Sequence, residues 1–88
     1  MAWVCYLLRC ADDTLYCGIT NDMEKRLAAH NAGTAAKYTR SRGPVALAFT
    51  EICADRSAAS RREMAIKKLT RVQKLALIRS VTAQSFAS

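Results

Sequence analysis

Two mainly apolar runs lie near the start of the chain, Trp3 to Cys10 and Leu15 to Thr20. Both runs contain enough aromatic and β-branched residues to predict strands, and residues 11–14 between them favour a turn. The pattern therefore predicts a β-hairpin. Apart from Arg9, both faces of each run are apolar, so we expect this sheet to be covered on both sides.

The pattern then changes to a helical period. Asn21 or Asp22 can cap a helix that runs through Asn31, and Gly33 stands where the residue after a helix end is expected. Residues 33–44 are predicted to form a loop.

A third strand and a second helix follow this loop. Residues 45–53 alternate well enough for a strand, with Val45, Leu47 and Phe49 on one side. Asp55 or Ser57 then opens a helix that runs to about Leu69.

Arg62 lies near the centre of that helix's apolar stripe. A charged side chain is not expected at this position if the whole stripe faces a core. Either the face is partly open to a cleft, or Arg62 has a buried acidic partner such as Glu51.

Residues 70–73 have the form of a capping box, so a new helix is predicted from about Arg71 to Ser80. It is expected to pack on the domain through its apolar positions Val72, Leu75, Ala76 and Ile78. The predicted order is ββαβαα, an α+β fold. We expect a single domain over residues 1–88, with a core at about 3–80 and a flexible tail at 81–88.

Charge narrows the choice of partner. Fourteen Lys and Arg residues against seven Asp and Glu give a formal net charge of +7 on 88 residues. A small surface of this charge attracts polyanions, which makes nucleic acid the leading partner. The alternative is a solvated basic surface that serves solubility.

The four cysteines, Cys5, Cys10, Cys17 and Cys53, lack the paired spacing of a zinc site, and we interpret them as small core residues. With no signal peptide apparent, a reducing cytoplasmic location is expected. No apolar run approaches the roughly 20 residues that span a bilayer, so no membrane association is expected. The pattern leaves the oligomeric state open.

The carboxylates offer one candidate metal ligand. Five of them occupy predicted turns or helix starts, where acidic residues have structural roles: Asp12, Asp13, Asp22, Glu24 and Asp55. Of the other two, Glu63 lies in mid-helix at the margin of a buried face and is the better candidate for an ion that prefers oxygen ligands. The alternative is an exposed glutamate paired with Lys67, four residues further on.

Arg26 and His30 are four residues apart on the first helix, so their side chains project from one face. A guanidinium can bind phosphate, and a histidine can move a proton near neutral pH. The alternative for His30 is a structural interaction with the helix dipole.

Tyr6 and Tyr16 share a face of the hairpin only if its loop has an odd number of residues, such as 11–13. That register places Tyr6 opposite Gly18, which would leave space over the ring, and Tyr16 opposite Leu8. With an even loop and no bulge, the two tyrosines diverge. Either tyrosine taken alone is typical of a core.

Together these segments resemble the GIY-YIG nuclease superfamily, in particular its small single-domain bacterial branch. The resemblance covers Trp3 to about Ile78 and rests on the order and spacing of five segments: residues 6–10, 15–20, 26–31, 37–40 and 61–69. The chain departs from the family pattern at Val4, which replaces a glycine, and at Cys17, which replaces an isoleucine. It also lacks the asparagine that many family nucleases carry after the glutamate.

The resemblance implies a three-stranded antiparallel sheet flanked by helices and a hydrolase that cleaves nucleic acid, with DNA favoured over RNA. It implies catalytic roles for Tyr6, Tyr16, Arg26, His30 and Glu63. Tyr6 would be the general base, Arg26 would bind the phosphate, and His30 would transfer a proton or contact phosphate. Glu63 would hold one divalent ion, Mg²⁺ or Mn²⁺, and no small-molecule cofactor is expected.

Basic segments on both sides of this site are expected to hold the nucleic-acid backbone, with Tyr38 stacking on a base. The residues assigned to nucleic-acid binding are Gly18, Lys37, Tyr38, Arg40, Arg42, Lys67 and Lys68. The main alternative is a binding module of the same fold with little catalysis. A protein-interaction domain without nucleic acid is a third possibility.

Overall fold

The computed structural model describes the backbone of residues 2–87 and the side chains of residues 2–80. Over this part the chain forms the elements β1 (Trp3–Arg9), β2 (Leu15–Thr20), α1 (Met23–Asn31), α2 (Lys37–Arg40), β3 (Ala46–Cys53), α3 (Arg56–Lys67) and α4 (Arg71–Ala87). The predicted order is confirmed, and the short helix α2 lies inside the predicted loop. None of the described helices is long and apolar enough to cross a membrane.

The sheet is antiparallel, with the strand order β2-β1-β3. In the loop between β1 and β2, the Cys10 N–H donates to the Thr14 carbonyl at 2.9 Å, and Asp13 has a φ of 66°. A three-residue hairpin loop commonly ends on such a left-handed residue. The loop therefore has the odd length that the shared tyrosine face requires.

The resulting register pairs Tyr6 with Gly18 and Leu8 with Tyr16, as predicted. Side chains alternate along each strand, so Tyr6 and Tyr16 lie on one face of the sheet.

Each face of the sheet carries its own core cluster. On the tyrosine face, Met23 and Leu27 of α1 pack against a cluster formed by Tyr6, Leu8, Cys10 and Val45. On the opposite face, side chains of α3 and α4 pack with a second cluster, made of Cys5, Leu7, Cys17, Phe49 and Ile66. The prediction that helices cover both sides is confirmed.

A β-bulge changes the predicted alternation of β3. Leu7 pairs with Phe49 and Leu8 with Leu47, so Ala48 is an extra residue between two paired positions. Leu47 and Phe49 therefore point to opposite faces, and their predicted placement on one side is wrong.

The two alternatives for Arg62 are resolved by a contact between α3 and β3. The Arg62 Nε atom donates to Glu51 Oε2 at 2.8 Å, and both side chains are about one-third exposed. Arg62 therefore has the acidic partner named in the second alternative, although the pair is only partly buried.

The break before α4 is a capping box, as predicted. The Thr70 N–H donates to Gln73 Oε1 at 2.9 Å, and the Gln73 N–H donates to Thr70 Oγ1 at 3.2 Å. The packing face of α4 was partly wrong, because Val72 is 76% exposed while Leu77 packs on the core. The helix continues past Ser80, and side chains beyond that residue lie outside the described part.

Gly18 is required by the close approach of the Tyr6 ring. A Cβ atom added at Gly18 would lie 2.6 Å from Tyr6 Cζ and nearer still to the hydroxyl. Tyr6 is fully buried, so its ring has little freedom to move away.

We expect Gly18→Ala to lower the free energy of unfolding by about 1–3 kcal/mol, the usual cost of overpacking a core. Urea denaturation would measure this loss. Gly43→Ala is the matched control, because a Cβ there meets nothing within 4 Å. Equal effects of the two substitutions would contradict the packing role assigned to Gly18.

Candidate active site

A buried chain of hydrogen bonds connects the hairpin with α1 and α2. The Tyr6 hydroxyl lies 2.8 Å from His30 Nε2, and His30 Nδ1 lies 2.7 Å from Thr39 Oγ1. All three side chains are almost completely shielded from solvent, with His30 only 1% exposed.

The partners of Thr39 determine the direction of this chain. Its hydroxyl donates its only proton to the Ala36 carbonyl at 3.2 Å, so its oxygen accepts a hydrogen bond from His30 Nδ1–H. Burial, together with the positive charge of Arg26, lowers the pKa of His30 below its usual 6.5 and favours the neutral ring. His30 Nε2 then carries no proton, and it accepts a hydrogen bond from the Tyr6 hydroxyl.

This geometry does not suit Tyr6 as a general base toward water. Its side chain is 0% exposed, and its hydroxyl donates to His30. Burial also raises the pKa of Tyr6, although the nearby guanidinium of Arg26 opposes the rise. Tyr6 and His30 therefore support each other in the core, and neither presents a free group to a substrate.

Tyr16 occupies the solvent side of the same cluster. Its ring meets His30 edge-on, with the centroids 5.2 Å apart. Within the described residues, the only buried side-chain nitrogen or oxygen without a hydrogen-bond partner is Arg26 Nε. No hydrogen bond is found there for the Tyr16 hydroxyl either, so this hydroxyl is at least partly accessible to solvent.

Arg26 extends from α1 toward two adjoining clefts at the end of β2. Both clefts are lined by Thr20, Asn21 and Arg26, and their volumes are about 220 and 330 Å³. Its buried Nε donor has no acceptor, and no carboxylate lies within ion-pair distance in the described part of the chain. An unsatisfied buried donor is costly, which makes Arg26 suited to an anionic ligand.

Glu63 belongs to the other side of the sheet. It lies on α3 near the thiols of Cys5 and Cys17, on which its charge acts. Its carboxylate is 3.6 Å from Lys67 Nζ, and its side chain is 23% exposed. The structure thus contains the ion pair that was the alternative to a metal role, and no hydrogen bond or ion pair joins Glu63 to the tyrosine cluster in the described residues.

The donor set limits how a metal ion could be held. Among the described residues there is no group of three or more His, Cys, Asp or Glu side chains suited to a metal. Mg²⁺ commonly keeps several waters and binds one or two protein carboxylates together with phosphate oxygens. Glu63 fits an ion of that kind shared with a substrate, and it does not fit an ion held by protein ligands alone.

The basic residues named from the sequence divide into two groups. Arg42 and Lys67 are paired with Asp12, at 3.1 Å, and with Glu63. No ion-pair partner is found in the described part for the exposed residues Lys37, Arg40 and Lys68. Gly18 is buried beneath Tyr6, which does not favour a direct contact with nucleic acid.

Helix α2 brings the basic loop next to the tyrosines. The rings of Tyr38 and Tyr16 are 5.6 Å apart and tilted by 31°, and the Arg42 guanidinium lies 4.1 Å from the Tyr38 ring centroid. Tyr38 is 38% exposed, so part of its ring can still meet a base.

Thr39 is the site residue that the sequence analysis missed. Thr39 lies on α2, a helix of only four residues, and no side chain caps the start of this helix. A short amphiphilic turn of this kind carries no periodic signal, so the pattern offered no means of finding it.

An antiparallel sheet with two tyrosines on one face of its hairpin, and an arginine and a histidine on the following helix, defines a GIY-YIG catalytic domain. The sequence model described by that name matches residues 2–76. The chain therefore belongs to the GIY-YIG family, as the sequence resemblance indicated.

Similar proteins come from several bacteria. A UPF0213 protein of Clostridium perfringens is 56% identical over 75 residues, which cover 85% of this chain and 81% of the relative. One from Desulfotalea psychrophila is 49% identical over 80 residues, covering 90% and 73% of the two chains. The names of these relatives state no activity.

Two solution NMR structures share the fold. The protein EF2693 of E. faecalis is 41% identical, with a TM-score of 0.64 and coverage of 94% of this chain and 88% of its own. The UPF0213 protein BH0048 of Bacillus halodurans is 38% identical, with a TM-score of 0.57 and coverage of 90% and 84%. Family membership indicates a nuclease-type domain with a nucleic-acid substrate.

The lowered pKa of His30 predicts a pH dependence of stability. The unfolded chain binds a proton at His30 near pH 6.5, whereas the folded chain resists it. The contribution of the neutral ring is therefore fully present above pH 6.5 and is lost as the pH falls below it, by at most about 1.4 kcal/mol per pH unit for one proton.

Urea denaturation at pH values between 7.5 and 5.5 would measure how the free energy of unfolding changes with pH. This range lies above the pH at which most carboxylates titrate. His30 is the only histidine in the chain, so His30→Gln is a direct control. The variant should be less stable at pH 7.5 and should show a flatter slope. An unchanged slope would assign the titration to another group.

Proposed function

We propose that the protein is a metal-dependent endonuclease that hydrolyses phosphodiester bonds, with DNA as its substrate. The observation that best supports this is the buried, unpartnered Nε of Arg26, whose side chain lines a cleft and lies close to Tyr6. A guanidinium without a carboxylate partner can receive the scissile phosphate and offset the charge that grows on it during hydrolysis.

Tyr16 is assigned as the group that meets the attacking water, because its hydroxyl is at least partly accessible to solvent. Water attacks phosphorus and gives one proton to the phenolate oxygen of Tyr16, while the bond from phosphorus to the leaving oxygen breaks. The leaving oxygen takes a proton from solvent, so the products are a phosphate monoester and a hydroxyl. A phenol has an ordinary pKa of about 10, so this role requires nearby positive charge, which Arg26 and a bound cation would supply.

Tyr6 and His30 act as positioning residues in this proposal. Their hydrogen bond fixes the hairpin against α1, the helix that carries Arg26. Tyr6 is more deeply buried than Tyr16. Its hydrogen bond to Nε2 holds His30 in the tautomer whose Nδ1–H donates to Thr39. The sequence-based assignment of the general base therefore moves from Tyr6 to Tyr16.

Glu63 is the residue that would hold Mg²⁺ or Mn²⁺ together with a phosphate oxygen of the substrate. The bound ion would supply Lewis-acid stabilisation of the phosphoryl oxygen. The partly buried carboxylate is paired with Lys67, so Lys67 must release it or share it when the ion binds. The exposed cations of α2, Lys37 and Arg40, are assigned to the backbone of the nucleic acid.

Replacing the carboxylate tests this proposal. We expect Glu63→Gln to reduce Mg²⁺- or Mn²⁺-dependent cleavage of DNA by at least roughly 100-fold, since Lewis-acid stabilisation is worth several kcal/mol. Binding measured by fluorescence anisotropy should remain. Glu24→Gln, which alters an exposed acid on α1, is the matched control.

A panel of single-stranded, duplex, nicked and branched DNA, with RNA alongside, would identify the substrate. Cleavage by Glu63→Gln at the wild-type rate would contradict the metal role. Steeply salt-dependent binding without cleavage of any substrate would instead support a binding module of the same fold.

Substitutions of the two tyrosines should have different effects on cleavage and on stability. Tyr16→Phe is expected to reduce cleavage by roughly 100-fold or more while changing the free energy of unfolding by less than about 0.5 kcal/mol, because its hydroxyl is at least partly accessible to solvent. Tyr6→Phe leaves His30 Nε2 buried without a donor and should cost about 1–3 kcal/mol of stability.

Cleavage rates and urea denaturation on the same two variants would check this. Loss of cleavage in Tyr6→Phe at unchanged stability, with Tyr16→Phe active, would return the base role to Tyr6.

A further inference from the structure

The larger of the two clefts beside Arg26 has a wall that the proposed reaction does not use. Trp3 at the start of β1 and Arg56 at the start of α3 line it, together with Asn21 and Arg26. Its volume of about 330 Å³ lies at the lower end of the range for small-ligand sites. A wall of this kind can bind something next to the phosphate on Arg26.

Two guanidiniums face this cleft without an acidic counterpart. In the described part of the chain, ion pairs account for Arg9, Arg42, Arg62, Lys67 and Arg71, and none involves Arg26 or Arg56. Like charges that line one cleft repel each other, and an anion between them relieves that repulsion.

The aromatic wall adds a different chemistry. Trp3 is half-buried, so part of its ring is exposed, and the Arg56 guanidinium lies 5.7 Å from the ring centroid. Proteins that bind single-stranded nucleic acid use an aromatic face beside cationic donors. A base stacks on the ring, and a phosphate binds the cation.

The cleft of α2 has a similar composition but is less available. Its arginine, Arg42, already donates to Asp12 and to the Tyr38 carbonyl and lies against the Tyr38 ring. In contrast, no hydrogen bond is found for the Arg56 side chain within the described residues, and the buried Nε of Arg26 is unpartnered.

We infer that the cleft of Trp3, Arg26 and Arg56 binds the nucleotide next to the cleaved bond, as part of a single strand. Trp3 stacks on its base, Arg56 binds its phosphate, and Arg26 is shared with the scissile phosphate. This inference rests on the proposed nuclease function for the position of the cleaved bond. The nucleotide cleft itself can be tested without cleavage.

Trp3 is the only tryptophan in the chain, so its fluorescence reports directly on the cleft. The wild-type protein, with EDTA present to prevent cleavage, would be titrated with an oligothymidylate of eight nucleotides and with an abasic strand of the same charge. We expect quenching by the first strand and little by the second. Binding of both strands with no change in Trp3 fluorescence would overturn the inference.

Substitutions test each wall separately. Trp3→Ala should weaken oligothymidylate binding by roughly 5- to 100-fold, the range for one lost base stack, and Trp3→Phe should retain most of the affinity. Arg56→Gln should reduce the slope of log affinity against log salt by about 0.7, as expected for one lost phosphate contact to a single strand. Arg61→Gln, which removes an exposed arginine of the same helix, is the matched control and should leave the slope unchanged.

Arg56 is exposed, so its substitution keeps the test valid even if Trp3→Ala fails to fold. Equal slopes for Arg56→Gln and Arg61→Gln would contradict the phosphate contact. DNA cleavage with a silent Trp3 would reject the cleft and leave the nuclease proposal intact. Quenching of Trp3 fluorescence without cleavage in Mg²⁺ or Mn²⁺ would support the nucleotide cleft and contradict the nuclease proposal.

Discussion

The rest of the site depends on one buried hydrogen-bond chain, from the Tyr6 hydroxyl through the His30 ring to the Thr39 hydroxyl. It connects the central strand β1 with the first helix and the short helix α2, from which β1 is separated in sequence by β2. Each polar group in it finds its partner inside the chain, so burial stabilises a single arrangement. Removing any one member leaves a buried donor or acceptor unpaired, and such a group costs about 1–3 kcal/mol.

Much of this arrangement follows from local chemistry that the sequence displays. The odd hairpin loop determines that Tyr6 lies opposite Gly18, because side chains alternate along strands. The helix caps at Asp22 and Asp55 and the capping box at Thr70 were also predictable, since each depends on residues at most three positions apart. The pairing of Arg62 with Glu51 could be named as an alternative but could not be chosen without the packing of α3.

Other features depend on contacts between distant parts of the chain, which no local pattern encodes. The bulge at Ala48 reverses the alternation of β3 and is set by its pairing with β1. The positions of the two tyrosines likewise depend partly on local pattern and partly on distant contacts. Their register was predictable, but their exposure was not, because it depends on His30 and α2. Thr39, whose helix has only four residues, left no trace in the hydrophobic pattern.

If the proposed function is correct, the two faces of the sheet hold separate parts of the site, which only the substrate would connect. The tyrosines and Arg26 belong to the side covered by α1, whereas Glu63 comes from the helix that covers the opposite face. Within the described residues, no hydrogen bond or ion pair joins the two groups. A phosphodiester with one oxygen on Arg26 and another near a cation on Glu63 would supply the missing connection. In the proposed reaction, the phosphodiester would bring the negative charge that Arg26 lacks, and the ion would replace or share Lys67 as the partner of Glu63.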